Sequence, residues 1–218
     1  VQSFFQLNSF IACEAISPMT PLPVAHATPL SKEEINTLPI RRYAGAIHII
    51  STRRDLAKAL QALRGERVLG FDTETKPTFR RGPMRPPALL QLATSEAAYL
   101  FQLKRIELPA GLRSILADPD IVKAGVAVHD DIRDLQRVSP FTSAGFVDLS
   151  QVARGLGVIQ SGLRSMAARF LGFRVSKKAQ CSNWEAKELS PSQIVYAATD
   201  AWVSRELHLH FTNLSSSC

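Results

Sequence analysis

The chain has 218 residues, 45% hydrophobic and 21% charged, with 26 Lys and Arg against 19 Asp and Glu for a net charge of +7. That apolar content excludes a disordered chain, the lack of any run near the roughly 18 apolar residues a bilayer needs excludes a membrane span, and the length suits one packed domain. Residues 1 to 31 lack Lys and Arg, unlike a secretory signal, and Cys13, Cys181 and Cys218 match neither a disulfide framework nor a paired zinc site, so a reducing cytoplasm is expected.

Pro18, Pro21, Pro23, Pro29 and Pro39 punctuate the first forty residues, which are expected to form an extended leader (1–40) before a domain at 41–214 and a short tail at 215–218. Met19 lies inside the leader while the chain begins with Val1, which makes Met19 a candidate start. Ala46–Ile50 reads as a strand, and Thr52 with Asp55 three residues on forms a capping box for a helix ending near Gly65. Residues 68–72 are apolar up to their last position, as in a strand buried on both faces. Leu89–Ala93 and residues 98–101 read as a hairpin across a polar turn at 94–96.

A short helix is expected at 112–117, a strand at 122–128 interrupted by Gly125, a helix at 132–138 and a last short strand at Phe146–Asp148. Beyond it the pattern is helical: 149–156, 163–170, and a long run from Pro191 to about Thr212 with Ser190 as N-cap. Strands followed by helices in this way predict an α/β layer fold with one central sheet, which by itself names no function.

Three acidic elements carry chemistry. Asp72-Thr73-Glu74 closes an apolar strand, so alternation places Asp72 and Glu74 on one face at the sheet's end, where open α/β sheets bind ligands. Two carboxylates held together repel and suit a divalent cation such as Mg²⁺ or Mn²⁺; an isolated Asp-x-Glu is equally a solvated turn. Asp130 and Asp131 follow the Gly125 strand at a helix opening, where one acid can cap while the other points at a metal. His129 beside them lacks a second His at ligand spacing. In the long helix Tyr196 and Asp200 stack at i and i+4, and an Asp amid Ile194, Ala197, Ala198, Ala201 and Trp202 requires a cation or strong donors.

In combination these elements resemble the three motifs of the DEDD superfamily of 3′-to-5′ exonucleases, which is RNase H-like, and Tyr196 four residues before Asp200 resembles its DEDDy branch. Ala124-Gly125-Val126, Cys181-Ser182-Asn183-Trp184 and Tyr196-Ala197-Ala198-Thr199-Asp200-Ala201 are similar to phrases of the Werner syndrome exonuclease domain and its RNase D relatives. The resemblance covers about residues 46–212 and implies an RNase H-like mixed sheet flanked by helices, with a helical C-terminal part. Asp131, six residues after Gly125, fits the second motif better than Asp130.

The resemblance further implies that Asp72, Glu74, Asp131 and Asp200 hold two divalent cations, Mg²⁺ or Mn²⁺, that activate water and neutralise the leaving 3′-oxygen. Tyr196, with a reference pKa near 10, would orient that water rather than deprotonate it. Thr73 and Glu74 would meet the terminal nucleotide, and Asn183 and Trp184 would shape the groove.

Lys76, Arg80, Arg81 and Arg85 lie in a Pro-stiffened loop just after the first motif and are candidates for phosphate contacts, as are Lys177 and Lys178 in a cluster with Arg169 and Arg174. Phe79, Phe173 and Trp184 are candidates for base stacking or for the core. The partner that the resemblance implies is the 3′-end of DNA or RNA. A catalytically silent binding module and a hydrolase of small nucleotides are the alternatives.

Overall fold

The computed structural model of the protein describes residues 28–78 and 85–216. Met19, Cys13, Cys218, Phe79, Arg80 and Arg81 lie outside the described residues. Helix α1 (Lys32–Thr37) opens at Ser31, whose hydroxyl accepts the Glu34 N–H at 3.1 Å while the Glu34 carboxylate accepts the Ser31 N–H at 2.7 Å. This reciprocal cap makes 32–37 helical, not extended as expected, and buries Ile35.

Strand β1 (Ala46–Ile50) leads to α2 (Arg53–Arg64), capped by Thr52, and then to β2 (Val68–Glu74). The hairpin β3 (Leu89–Ala93) and β4 (Ala97–Gln102) is followed by the short helices α3 (Leu103–Ile106) and α4 (Ala110–Leu116). β5 (Val122–Gly125) is shorter than expected, because Ala127 adopts a left-handed backbone (φ 56°) that turns the chain straight into α5 (Val128–Val138). β6 (Phe146–Asp148), α6 (Leu149–Gly155) and α7 (Leu163–Met166) follow, and α7 runs on into one π-helical turn at Ala167–Leu171. The last helix, α8 (Pro191–Ser216), is 26 residues long and enters the expected tail. No described helix is long and apolar enough to cross a membrane.

The six strands form one mixed sheet in the order β1-β4-β3-β2-β5-β6, with β3 antiparallel to both neighbours and the other pairs parallel. Alternation along β2 sends Leu69 and Phe71 into a core under α2, α4 and α5. Gly70, Asp72 and Glu74 alternate with them and so take the other face, across which α8 lies. α8 approaches closely because small residues meet: Ala197, Ala198 and Ala201 are fully buried, and a Cβ on Gly70 would stand 1.8 Å from the Ala201 carbonyl oxygen. That contact fixes the end of β2 against the turn of α8 that carries Asp200.

Candidate active site

Asp72, Glu74 and Asp200 each offer a carboxylate oxygen, and these oxygens lie within 4.8 Å of one another. Two come from one face of β2 and the third from α8, as the alternation and the i,i+4 spacing predict. Glu74 and Asp200 are buried and Asp72 is half-buried.

Burial and mutual repulsion set the electrostatics. The Asp72 carboxyl is pushed well above the usual carboxylate range by burial and by the charges of Asp200 and Asp131. Burial, then Asp72, Asp200 and Asp131, push Glu74 up to about 10. Burial raises Asp200 to about 7, while the Tyr196 hydroxyl and Lys177 pull it down. Tyr196 is itself raised, first by burial and then by the Asp200 and Glu74 charges, so it stays a neutral hydroxyl hydrogen-bonded to Asp200.

The donor set fits a hard divalent cation. Three oxygen ligands converge without an imidazole or thiolate among them, and Asp200 Oδ1 is buried with no hydrogen-bond partner among the described residues. An orphaned carboxylate oxygen costs free energy that a cation offsets.

Asp131 stands outside this three-way cluster. It is half-buried in the first turn of α5, accepts a hydrogen bond from the Thr73 hydroxyl at 2.5 Å, and is raised to about 6 by burial against that bond. Asp130 points to solvent, its side chain 85% exposed and paired with Arg133 at 3.2 Å. Of the doublet, Asp131 turns to Thr73 on β2 and Asp130 to Arg133 on its own helix. Neither acid caps the helix: the N-cap is Ala127, whose own N–H is accepted by Asp148 Oδ1 at 3.0 Å. Gly125 lets β5 end against β2, since a Cβ there would sit 2.7 Å from the Phe71 carbonyl oxygen.

Asp72, Glu74 and Asp200 border a cavity of about 370 Å³ that Thr73, Tyr196, Lys177, Arg164, Gln180 and Ser204 also line. Lys177 lines the same cavity as the acids, and Arg164, Gln180 and Ser204, which carry no local sequence signal, line it too. Arg164 is held by Asn36 Oδ1 at 2.6 Å, so α1 abuts the cavity wall.

Other expected contacts are placed differently. Trp184 is 2% exposed, tilted against Tyr196 at 5.9 Å and donating its indole N–H to the Gln180 carbonyl, so it presents no face to a base. Phe173 is buried and stacked on Trp202. Arg169 and Arg174 donate to the Thr28 and Leu38 carbonyls and tie down the segment before β1 rather than facing a groove. Lys178 and Asn183 are exposed. Lys76 and Arg85 both reach Glu185, at 3.4 and 3.1 Å, and Lys104 joins them at 3.3 Å. Glu185 therefore pins both described ends of the basic loop, a role no local pattern announces.

A family model described as 3′-5′ exonuclease matches residues 47–215. Exonuclease 3′-5′ domain-containing protein 2 of Drosophila melanogaster is 37% identical over 139 residues, 62% of this chain and 24% of that protein. The bifunctional 3′-5′ exonuclease/ATP-dependent helicase WRN of Mus musculus is 33% identical over 156 residues, 69% of this chain and 11% of that protein. Both curated relatives are thus at least four times as long as the part matched here. Among solved structures, Escherichia coli RNase D superposes with a TM-score of 0.68 at 26% identity, covering 78% of this chain and 46% of that one. Because the family match runs from the first strand to the last helix and takes in all three acidic elements, the chain belongs to the 3′-5′ exonuclease family.

Proposed function

We propose that this protein hydrolyses the terminal phosphodiester bond at the 3′-end of a polynucleotide and releases nucleoside monophosphates. The observation that carries the reading is the convergence of the Asp72, Glu74 and Asp200 carboxylates around the unpartnered Asp200 Oδ1 at the end of β2. Asp72, Glu74, Asp131 and Asp200 would hold two divalent cations, Mg²⁺ or Mn²⁺. When bound, these supply Lewis-acid chemistry, lowering the pKa of the attacking water and neutralising charge on the departing 3′-oxygen.

The chain's own groups do the rest. Tyr196, kept neutral by its buried setting, offers its hydroxyl to orient the water and is too weak an acid to serve as general base. Thr73 holds Asp131 through its hydroxyl. Lys177 brings positive charge to Asp200 and is placed to meet a phosphate oxygen. Residues 41–214 form the catalytic unit in this reading, and the exposed thiol of Cys181 suits a reducing cytoplasm.

The test is a time course on 5′-labelled single-stranded RNA and 3′-recessed DNA with Mg²⁺, Mn²⁺ or EDTA. A metal-dependent ladder shortening from the 3′-end, absent in Asp72→Asn, is expected, and the faster substrate decides between RNA and DNA. Folded protein that binds both oligomers without shortening either would instead be a silent binding module.

A further inference from the structure

A second cavity, of about 290 Å³, opens beside the acid cavity and shares Ser176 and Tyr196 with it as common wall. Its charged lining residues are Arg41, Arg42 and Lys178, with no carboxylate among them. All three are exposed, and none makes an ion pair among the described residues. Ala179, Pro191 and Val195 give it an apolar floor, and Ser176 and Ser192 add hydroxyls.

The two arginines sit on pinned backbone. Arg41 N–H donates to the Arg174 carbonyl at 3.0 Å, and Tyr43 N–H donates to Thr199 Oγ1 on α8 at 3.0 Å, so Arg42 is fixed from both sides. The Arg41 guanidinium lies 5.9 Å from the centre of the Phe173 ring, a cation–π contact that orients it without neutralising it. The backbone that carries both arginines, and the Arg41 guanidinium itself, are thus preorganised for an anion.

We propose that this pocket is a subsite for the nucleic-acid strand upstream of the scissile bond, gripping its phosphates with Arg41, Arg42 and Lys178. The inference rests on the exonuclease reading and deepens it. A 3′-terminal nucleotide carries one phosphate, the scissile one, and every other phosphate of the strand lies on its 5′ side. A cationic pocket contiguous with the acid site therefore meets the upstream strand, while the apolar floor accepts sugar and base faces. The cluster also adds attraction for a polyanion beyond that of Lys177 and Arg164, which share the acid cavity with Asp72, Glu74 and Asp200. Thus Arg41 and Arg42, just before the first strand, belong to the substrate groove.

The experiment compares wild type, the double variant Arg41→Gln/Arg42→Gln and Lys178→Ala. Each is assayed for binding of a fluorescein-labelled single-stranded 12-mer in EDTA at several salt concentrations. Each is then assayed for hydrolysis of that 12-mer and of the p-nitrophenyl ester of thymidine 5′-monophosphate, which has a scissile phosphate but no upstream one. The double variant is expected to weaken 12-mer binding and raise its KM by about 10- to 100-fold, and to lower the salt slope by about two, with kcat retained and ester hydrolysis within about twofold of wild type. Lys178→Ala is expected to shift the same quantities in the same direction by less. Unchanged 12-mer affinity and salt slope in both variants, or equal losses on 12-mer and ester, would overturn the subsite. Failure of wild type to hydrolyse either substrate would overturn the exonuclease reading, and the EDTA binding series would still decide whether the pocket holds the strand.

Discussion

Gly70→Ala tests whether the acid site is built by the close approach of α8 to β2. The new Cβ would stand 1.8 Å from the Ala201 carbonyl oxygen, 2.8 Å from its carbonyl carbon and 3.0 Å from Arg205 Cβ, where ordinary contact begins at 3.4 Å. The first two atoms are backbone, so no rotamer change relieves the clash, and helix and strand must part by about 1.6 Å. Overpacking of this kind costs typically about 1–3 kcal/mol, and with backbone on one side we expect the upper end. For a domain of this size about 3 kcal/mol lowers Tm by roughly 6–12 °C. Asp72 is two residues along β2 from the clash and Asp200 one residue along α8, so their separation changes with it. Misplacement by about 1 Å costs on the order of 100-fold in turnover. Strand propensity alone argues the opposite, because replacing Gly by Ala in a strand interior normally stabilises by about 0.5–1 kcal/mol. Scanning calorimetry and turnover on a labelled oligomer at saturating Mg²⁺ decide it. A variant with Tm equal to or above wild type and turnover within twofold would refute the reasoning.

Three further outcomes are expected. In EDTA, stability should fall as pH rises above about 4, because Asp131, Asp200 and Glu74, raised to about 6, about 7 and about 10, each bind more protons folded than unfolded between their ordinary and raised values. Asp200→Asn should lessen this dependence, leaving the part due to Asp72, Glu74 and Asp131, and stabilise the metal-free protein at pH 8 while abolishing turnover and the Mg²⁺-induced rise in Tm; a variant less stable than wild type in EDTA would contradict it. Asp131→Asn should remove activity and Asp130→Asn should keep it within twofold, since Asp130 is solvated and paired only with Arg133; equal effects in a ladder assay would undo that assignment. Tyr196→Phe should lower kcat by roughly 10- to 100-fold with KM and the Mg²⁺ titration unchanged, and an unchanged kcat would remove the hydroxyl from the mechanism.

Local periodicity was enough to find what lies within one element. Alternation put Asp72 and Glu74 on one face, and helical spacing stacked Tyr196 on Asp200. It was misleading where a single residue breaks the pattern. Val126 and Val128 prolong the apolar run of β5, but the left-handed backbone at Ala127 turns the chain and the strand ends three residues earlier, at Gly125. Pro29 and Pro39 suggested an extended leader, yet the Ser31 and Glu34 cap between them starts a helix. Contacts between distant segments leave no local trace: nothing near Glu185 signals that cations at 76, 85 and 104 converge on it, nor that Arg41 and Arg42 reach the first turns of α8. Trp184 was ambiguous for a related reason, because whether an aromatic stacks on a base or fills a core depends on what covers it, here Tyr196 and the Gln180 carbonyl.

The acids, taken by themselves, would drive the sheet and α8 apart. They are brought together by residues with almost no side chain: Gly70 and the buried alanines of α8 let backbone meet backbone, and Gly125 lets β5 close on β2 beneath Asp131. Packing on the neighbouring apolar clusters therefore holds a charge arrangement that is unfavourable without cations, as the raised carboxyls record. In the proposed reading, cations would bind such a site favourably because metal-free folding has already met the cost of convergence. It is also selective in what it excludes, since a polyanionic strand is repelled from bare carboxylates and attracted by Arg41, Arg42 and Lys178 next door. In the proposed reading the strand would be captured on the basic pocket first, and the terminal phosphate engaged productively only with cations on the acids. Salt should then act mainly on KM and metal concentration mainly on kcat.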